Sequence, residues 1–514
     1  MRKIKNIVKK SCLLYALLAM CGCNSWLDIN PVGVQTSDTY WQTKEEVEQV
    51  LTSSYIQLRS CMPYFFRWGE LRADELDYGM TQSTDASQTG QDERSLRTMD
   101  IRPSNVLNNW SAVYKAIGRA NSVIQFAETA LETDITFSRE LCNSFIAEAV
   151  FVRSLCYFYL VRTFRDVPYI TAAYADDEQE FAVPKADGEY ILDQVVLDLE
   201  KYVRMCKPGY EIEWQTKGRA TCWAFYALMA DIYLWQENYG QVIEKCNILE
   251  KAGFALEEKA KYWENFYPGN SKKESIFELQ FRHNTTDNQK NSLFSWFHAG
   301  VSDARYLISE DSKKLFEEED AEDIRGKGYM FDNRYIGEKY WKYLGTASRS
   351  GLIYPDSRLR GTTERSPNWI FYRFAEIILM KAEAMTMQGT PYDQICRMLD
   401  TTIRRRAGYD DASKLAVPET EEEMLKIVLN ERRKEFLAEG KRWFDVVRMG
   451  QKQGYKYRSY FIQVALKYVS AKDRPMWKVK LENSPYGFYL PILKSEIEAS
   501  HGVLVQNPFY EDVE

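Results

Sequence analysis

Residues 146–164, with the sequence IAEAVFVRSLCYFYLVRTF, decide the class of fold that this chain encodes. Apolar side chains recur there at steps of three and four residues, which is the period of one helical face. Asp166-Val167-Pro168 follows and is expected to end the helix, because proline cannot continue it. A second helical pattern over 188–206 provides a partner, so this part of the chain is predicted to form a helical hairpin.

Comparable patterns predict further helices on both sides of this hairpin. Two of them begin with capping signals. Thr43 precedes Glu45 and Glu46 in the first, and Thr420 precedes Glu423 by three residues in the last, which fits a capping box. The predicted helices pair as 43–58 with 105–129, 146–164 with 188–206, 219–235 with 239–251, and 369–386 with 391–406, and a single helix follows over 420–450.

The lengths of these pairs are close to those of tetratricopeptide repeats, and small residues such as Ala227, Ala230 and Ala382 stand where helices would touch. We therefore predict an all-α fold of four tetratricopeptide-like helix pairs with long irregular inserts, chiefly at about 61–104 and 261–367. Residues 23–514 are expected to form a single domain. Periodicity alone leaves open an ordinary helical domain whose helices have no repeat relation.

The N-terminal residues have the layout of a secretory signal. A basic stretch precedes an apolar run over 12–21, which is shorter than the roughly 20 residues that span a bilayer. Residues 1–22 are therefore predicted to be a signal peptide, with a lipid on Cys23, because Gly22 is the small residue that a cleavage site requires. Cys21 competes for the lipid but follows the bulky Met20, and a buried N-terminal helix is the alternative interpretation.

Composition narrows the classes of function. The net charge of -7 over 514 residues argues against a nucleic-acid partner, which needs a basic patch. The 34 Tyr, 25 Phe and 13 Trp suit both a large core and a surface that grips ligands. Seven cysteines remain after Cys23, with no CxxC pair, and the acidic run 317–323 lacks the spacing of a calcium loop. We therefore predict no metal site and no cofactor.

Several motifs, in order along nearly the whole chain, resemble the SusD/RagB family of outer-membrane nutrient-binding lipoproteins. Each is weak alone, and together they are specific. One departure is Lys441, where histidine is common in the family. The motifs are CNSWLD at 23–28, TYW at 39–41, WSAVY at 110–114, AEA at 147–149, YRFAE at 372–376, ERRKEF at 431–436, EGKRWFD at 439–445, LPI at 490–492 and QNP at 506–508.

The resemblance implies a cell-surface protein that is anchored to the outer membrane by its lipid. It also implies a partner, a TonB-dependent SusC-like transporter of the outer membrane, over which the protein sits as a lid. The ligand it implies is an oligosaccharide, or a peptide as in RagB-like relatives. We therefore expect a glycan-binding uptake lipoprotein.

Ligand-binding residues are expected on the inserts, because rigid scaffolds present function on loops. Sugar faces stack on aromatic rings, and their hydroxyls need planar groups such as carboxylates. The stretch 64–78 carries both kinds of side chain, and 294–298, with Tyr306 beyond it, is a second aromatic candidate. From them we predict that Trp68, Asp74, Tyr78 and Trp296 line the site. The alternative is that Trp68 and Phe66 are core and that Asp74 caps a helix or forms a salt bridge within the fold.

An enzyme is not expected. The strongest case for one is a glycosidase that uses two carboxylates among Glu70, Asp74, Glu75 and Asp77, but number is not geometry. The chain has no GxSxG, HExxH or P-loop motif and only three histidines. The charged run ERRKE at 431–435 is interpreted as structural, with its arginines paired to carboxylates on neighbouring helices. A polymerising adhesin would be rich in strands, unlike this sequence.

Overall fold

A computed structural model gives the fold. The predicted signal peptide, Cys21 and Cys23 lie outside the described residues, as does most of the acidic run 317–323. The structure describes residues 40–174, 182–266, 273–281, 291–298, 304–316, 323–326, 330, 340–346, 356–361 and 365–511.

Helices make up most of the described chain. The α-helices span Lys44–Glu70, Met80–Thr84, Gln88–Arg97, Ser111–Phe126, Ala130–Thr133, Arg139–Phe164, Gly188–Tyr202, Glu213–Gly218, Cys222–Trp235, Tyr239–Glu250, Leu293–Phe297, Glu310–Lys314, Phe374–Met387, Tyr392–Leu399, Arg405–Ala407, Glu421–Phe436, Arg442–Tyr455, Arg458–Ala465, Arg474–Asn483 and Lys494–Ala499. Short strands form antiparallel pairs: Leu76–Tyr78 with Tyr306–Ile308, Val167–Pro168 with Lys185–Ala186, Ser275–Leu279 with Trp369–Arg373, and Gly345–Thr346 with Asp356–Leu359.

The predicted all-α fold of helix pairs is confirmed. In each of the four pairs the two helices pack against each other, and Ser111–Phe126 also packs on Arg139–Phe164. The predicted cap at Thr43 and the predicted capping box of Thr420 with Glu423 both form, and Thr43 makes a full capping box with Glu46. Each box satisfies backbone N–H groups that a helix start would otherwise leave without partners.

The prediction that the first helix ends at Leu58 is wrong, because the helix Lys44–Glu70 continues through Pro63. Proline removes a backbone donor and costs a helix about 3 kcal/mol. Phe65, Phe66 and Trp68 in the following turns are buried, and each such side chain stabilises by about 1.5–3 kcal/mol. Packing therefore outweighs the proline, and the beginning of the predicted insert 61–104 is helical.

The prediction of a helix beginning at residue 369 is also wrong. Trp369–Arg373 is a strand that pairs with Ser275–Leu279, and the helix begins at Phe374. All five residues of that strand are buried. A short apolar run of this kind has no periodicity that separates a buried strand from a buried helix.

The single helix predicted over 420–450 is two helices in the structure. The chain breaks between Phe436 and Arg442, where Ala438 and Gly440 have φ values of 62° and 74°. Side chains from the insert satisfy the carbonyl groups of this break: the Tyr340 hydroxyl donates to Leu437 at 2.6 Å and the Tyr343 hydroxyl donates to Ala438 at 2.9 Å. Contacts from the insert therefore stabilise the break between the two helices. Because these contacts come from a distant part of the chain, the sequence around 436–442 does not predict the break.

The helix Arg139–Phe164 lies at the centre of the core. It is the one described helix that is long and apolar enough to cross a membrane, and its apolar window is entirely buried inside the fold. Its central position explains that composition, since a helix that is apolar all round is covered on every side.

The charged motif 431–435 is structural, as predicted. Arg432 pairs with Asp445 at 2.9 Å and with Glu376 at 3.4 Å. Glu435 belongs to a buried group of ions, here called the Arg373 network, which also holds Glu274, Arg373, Arg406 and Glu439. The network ties the strand Trp369–Arg373 to the helix Glu421–Phe436 and to the break that follows it.

Candidate functional site

A strand pair brings the two predicted ligand-binding stretches together. Leu76–Tyr78 runs antiparallel to Tyr306–Ile308, with Tyr78 opposite Tyr306. The ring of Trp296 packs against Tyr306 and Phe66, with centroid distances of 5.6 Å and 5.0 Å. Tyr78 and Trp296 therefore belong to one aromatic cluster centred on Tyr306.

Charged side chains hold this cluster from one side. The guanidinium of Arg67 lies 4.7 Å from the centroid of the Trp296 ring, a cation–π arrangement. Glu93 is fully buried and accepts hydrogen bonds from Arg67 at 2.7 Å and from Arg305 at 3.1 Å. One carboxylate thus fixes two arginines, which gives the edge of the cluster a rigid set of donors.

At the surface end of the cluster, Asp77, Tyr78, Arg97 and Tyr468 are each half-buried and form what we call the Tyr78 patch. The Arg97 guanidinium pairs with Asp77 and lies 4.8 Å from the Tyr78 ring and 3.4 Å from the Tyr468 ring. The Tyr78 hydroxyl donates to the Glu93 carbonyl at 2.6 Å, and the Tyr468 hydroxyl donates to Asp77 at 3.2 Å. Burial raises the pKa of both phenols, so they stay neutral donors at physiological pH.

Trp68 and Asp74 lie apart from this cluster. Trp68 is 1% exposed, packs against Phe164 and donates from its indole nitrogen to the Leu107 carbonyl at 2.8 Å. Asp74 faces the other way, accepts from Arg442 at 2.8 Å and lies 3.2 Å from Arg433. Burial raises the pKa of Asp74, but the guanidinium groups of Arg442 and Arg433 outweigh it and hold that pKa well below its usual value.

Asp74 lines a cavity of about 880 Å³, called the Asp74 cavity below. Its walls come from five helices: Glu310–Lys314, Glu421–Phe436, Arg442–Tyr455, Arg458–Ala465 and Arg474–Asn483. Cavities of roughly 300–1,000 Å³ are typical of ligand sites.

The carboxylates that a glycosidase would use in this chain, chiefly Glu70, Asp74 and Glu75, are not arranged for glycoside hydrolysis. Glu70 and Glu75 are 0% and 1% exposed, so a substrate has no access to either. Glu70 accepts from the Gly440 N–H at 2.6 Å, and Asp74 is held by two arginines. In the described part of the chain, no group of three or more His, Cys, Asp or Glu could hold a metal ion.

Sequence reasoning missed Arg97, Tyr468, Arg433, Arg442 and Lys467. Nothing local distinguishes the first two. Arg433 falls within the run 431–435 that we interpreted as structural, and Arg442 within the motif 439–445; each pairs with Asp74 inside the fold. Their second role, as lining of a cavity, depends on the approach of residues more than 350 positions away and has no signature in the sequence.

Two family models match the chain. The model of the SusD family covers residues 209–510, and a model described as starch-binding associating with outer membrane covers residues 25–234. The first alone spans more than half of the chain. The chain belongs to the SusD family.

Individual relatives agree with that assignment. SusD-like protein P2 of Formosa agariphila is 25% identical over 485 residues, which are 86% of this chain and 90% of that protein. Surface glycan-binding protein A of Bacteroides uniformis superposes with a TM-score of 0.69 at 20% identity, over 91% of this chain and 100% of its own. A laminarin-binding SusD-like protein superposes with a TM-score of 0.68 at 21% identity, again over 91% and 100%. The structural likeness establishes the shared fold.

Proposed function

We propose that this protein binds an oligosaccharide at the cell surface and delivers it to a TonB-dependent outer-membrane transporter. The observation that carries the proposal is the Tyr78 patch, which combines two partly exposed tyrosine rings with a carboxylate and a guanidinium. Aromatic faces and planar hydrogen-bonding groups are what a sugar ring requires. Two proteins of the same fold are a laminarin-binding protein and a surface glycan-binding protein, which supports a glycan over a peptide.

The protein acts by binding alone in this proposal. The buried state of Glu70 and Glu75 supports that view, because a glycosidase needs two accessible carboxylates flanking the bond. Incubation with a polysaccharide panel should therefore retard the protein in affinity gels and release no reducing ends. Release of reducing ends would contradict the proposal, and so would retention of an acidic or basic peptide with no retention of any glycan.

Removal of the rings of the patch should weaken glycan binding. Tyr78→Ala and Tyr468→Ala are each expected to lower the affinity for the cognate oligosaccharide about tenfold or more, since a lost stacking ring removes a large contact area. Isothermal titration calorimetry measures the change. Tyr190→Ala is the matched control, because Tyr190 is 53% exposed on the helix Gly188–Tyr202 and should change nothing.

Trp296 and Asp74 remain proposed ligand residues, and the same titration tests them. Trp296→Ala should weaken binding by loosening Tyr306 beneath Tyr78, and Asp74→Ala by altering the wall of the adjacent cavity. Unchanged affinity in both variants, with unchanged thermal stability, would remove these residues from the site. Trp68 is tested in the same way. Because its indole is buried and donates to the Leu107 carbonyl, we expect a Trp68 variant that still folds to bind the oligosaccharide with unchanged affinity.

Surface attachment is proposed to depend on a lipid at Cys23. More than one acyl chain makes such an anchor stable, at about 0.8 kcal/mol per buried CH2 group. Cys23→Ala should release the protein from the outer membrane and abolish growth on the cognate glycan, while the purified variant binds that glycan normally. Mass spectrometry of the mature N-terminus distinguishes a lipid on Cys23 from one on Cys21.

A further inference from the structure

The Asp74 cavity differs in charge from the protein as a whole. Seven of its lining side chains are Lys or Arg and three are Asp or Glu, whereas the chain carries a net charge of -7. The three acids are already engaged: Asp311 pairs with Lys467 at 2.5 Å, Glu482 lies 3.7 Å from Lys478, and Asp74 lies between Arg433 and Arg442. Two carboxylates outside the lining offset part of this charge, since Glu422 pairs with Lys426 at 2.8 Å and Glu75 lies within 4 Å of Arg433 and Arg442. The seven basic side chains still outnumber these five carboxylates.

Arg433 and Arg442, which line the cavity, each have side-chain nitrogens that make no hydrogen bond among the described residues. Arg442 is 3% exposed and gives Nε and Nη2 to Asp74, but its Nη1 has no hydrogen-bond partner among the described residues. Arg433 lies 3.2 Å from Asp74, yet its Nε and Nη2 likewise make no hydrogen bond there. A second carboxylate, Glu75, lies 3.7 Å from Arg433 and 3.9 Å from Arg442, yet these three nitrogens still make no hydrogen bond among the described residues. Buried donors without acceptors are costly, so the site can accommodate a further acceptor.

The rim of the cavity adds cations that can reach an incoming group. Lys314 and Arg474 are exposed, on the helices Glu310–Lys314 and Arg474–Asn483. The side chains of Arg433 and Arg442, in contrast, are only 10% and 2% exposed. Planar guanidinium groups bind carboxylate and sulfate in a bidentate manner, and lysines add point charge around them.

The cavity adjoins the Tyr78 patch along two chain segments. Asp74 lines the cavity and Asp77 belongs to the patch, three residues further on, while Lys467 lines the cavity and Tyr468 belongs to the patch. The Lys467 ammonium also lies 3.4 Å from the Asp74 carbonyl, which joins the two segments. A chain of sugars that rests on the patch thus has the cavity beside it.

From these observations we infer that the Asp74 cavity binds the acidic group of an oligosaccharide, a carboxylate or a sulfate ester, while the neighbouring sugars lie on the Tyr78 patch. The inference rests on the proposed function and narrows it to acidic glycans. Arg433 and Arg442 are the residues that would contact the anion, with Lys314 and Arg474 around it.

Binding of matched trimers tests the inference. We expect the galacturonic acid trimer, or a sulfated galactose trimer, to bind at least about tenfold more tightly than the neutral galactose trimer. The two acidic trimers tell carboxylate from sulfate. Raising NaCl from 50 to 500 mM should weaken the acidic trimer and leave the neutral one unchanged, because salt screens only the charged contact.

Variants locate the effect. Arg433→Gln should remove most of the preference for the acidic trimer. Arg474→Gln, at the exposed rim, should reduce that preference in a protein whose stability is intact. Lys251→Gln is the control, since Lys251 is exposed and does not line the cavity. Thermal unfolding of each variant checks that it folds.

Three outcomes would overturn the inference, and they differ in what they mean for the proposed function. If the acidic and neutral trimers bind equally, or if Arg474→Gln weakens both to the same degree, the cavity has no role in selection, but the proposed function stands. If inorganic sulfate raises the melting temperature through Arg433 while no trimer binds, the cavity takes a free anion and the inference falls. The proposed function falls with it only if the polysaccharide panel does not retard the protein either.

Discussion

Replacement of Glu435 by alanine is expected to lower the free energy of unfolding by about 3–5 kcal/mol. Glu435 is fully buried, pairs with Arg373 and Arg406, and lies 3.2 Å from Arg325. The variant leaves these guanidinium groups in the core with fewer counter-charges, and an uncompensated buried charge is among the most destabilising changes in a protein.

Urea unfolding followed by circular dichroism measures this loss. Glu422→Ala on the same helix is the matched control, because Glu422 pairs with Lys426 at 2.8 Å on the surface, where both side chains are about half exposed. A pair of that kind contributes only about 0.3–0.5 kcal/mol. Equal effects of the two substitutions would mean that the Arg373 network does not stabilise the fold.

The same network should make the protein sensitive to acid. Burial raises the pKa of Glu435, but Arg406, Arg373 and Arg325 outweigh it and depress that pKa well below the value of about 4.3 for an unfolded chain. The folded state therefore binds fewer protons, and its advantage is present above pH 4.3 and is lost as the pH falls toward the folded pKa. Stability of the wild type should fall below about pH 4 more steeply than that of Glu435→Ala.

Gly69→Ala is expected to destabilise the protein by about 3 kcal/mol or more, although alanine in a helix normally stabilises by about 1 kcal/mol relative to glycine. A Cβ atom at Gly69 would lie 1.9 Å from the Gly440 carbonyl oxygen, and that neighbour is backbone, which cannot rotate away. Gly440 is itself fixed by its left-handed φ of 74° and by the N–H that it donates to Glu70. The helix Lys44–Glu70 must therefore move away from the break at 437–441.

Gly118→Ala makes the identical chemical change without the contact. Gly118 lies within the helix Ser111–Phe126, and a Cβ atom there would have nothing within 4 Å. We expect it to stabilise by about 0.5–1 kcal/mol. The two alanines should thus move the urea midpoint in opposite directions; a rise for Gly69→Ala would contradict the close approach of the two backbones.

Much of the scaffold could be predicted because its signals are local. Periodic apolar residues located the helix pairs, and the two threonine caps fixed helix starts to within one residue. The failures came from contacts between distant parts of the chain. Burial of Phe65 and Phe66 carries a helix through Pro63, and pairing with Ser275–Leu279 makes a strand of Trp369–Arg373.

In the candidate site, too, local features could be predicted from the sequence and contacts between distant segments could not. Aromatic density identified the stretches that contain Tyr78 and Trp296, and the structure joins them through Tyr306. Composition could not tell that Trp68 would face Phe164, nor that Asp74 would meet an arginine 368 residues later. The chemistry of a side chain is visible in a sequence, whereas its neighbours depend on the whole topology.

The apolar helix Arg139–Phe164 has a consequence for biogenesis. A chain exported as we propose passes the translocon unfolded, and this segment resembles a stop-transfer sequence. Glu148, Arg153 and Arg162 lie within it, and a charged residue near the centre of an inserting helix costs about 2.5–3.5 kcal/mol. After folding they pair with Arg219, Asp198 and Asp231. In the proposed export, the charged residues that form ion pairs in the folded core would also oppose insertion of this segment into the inner membrane.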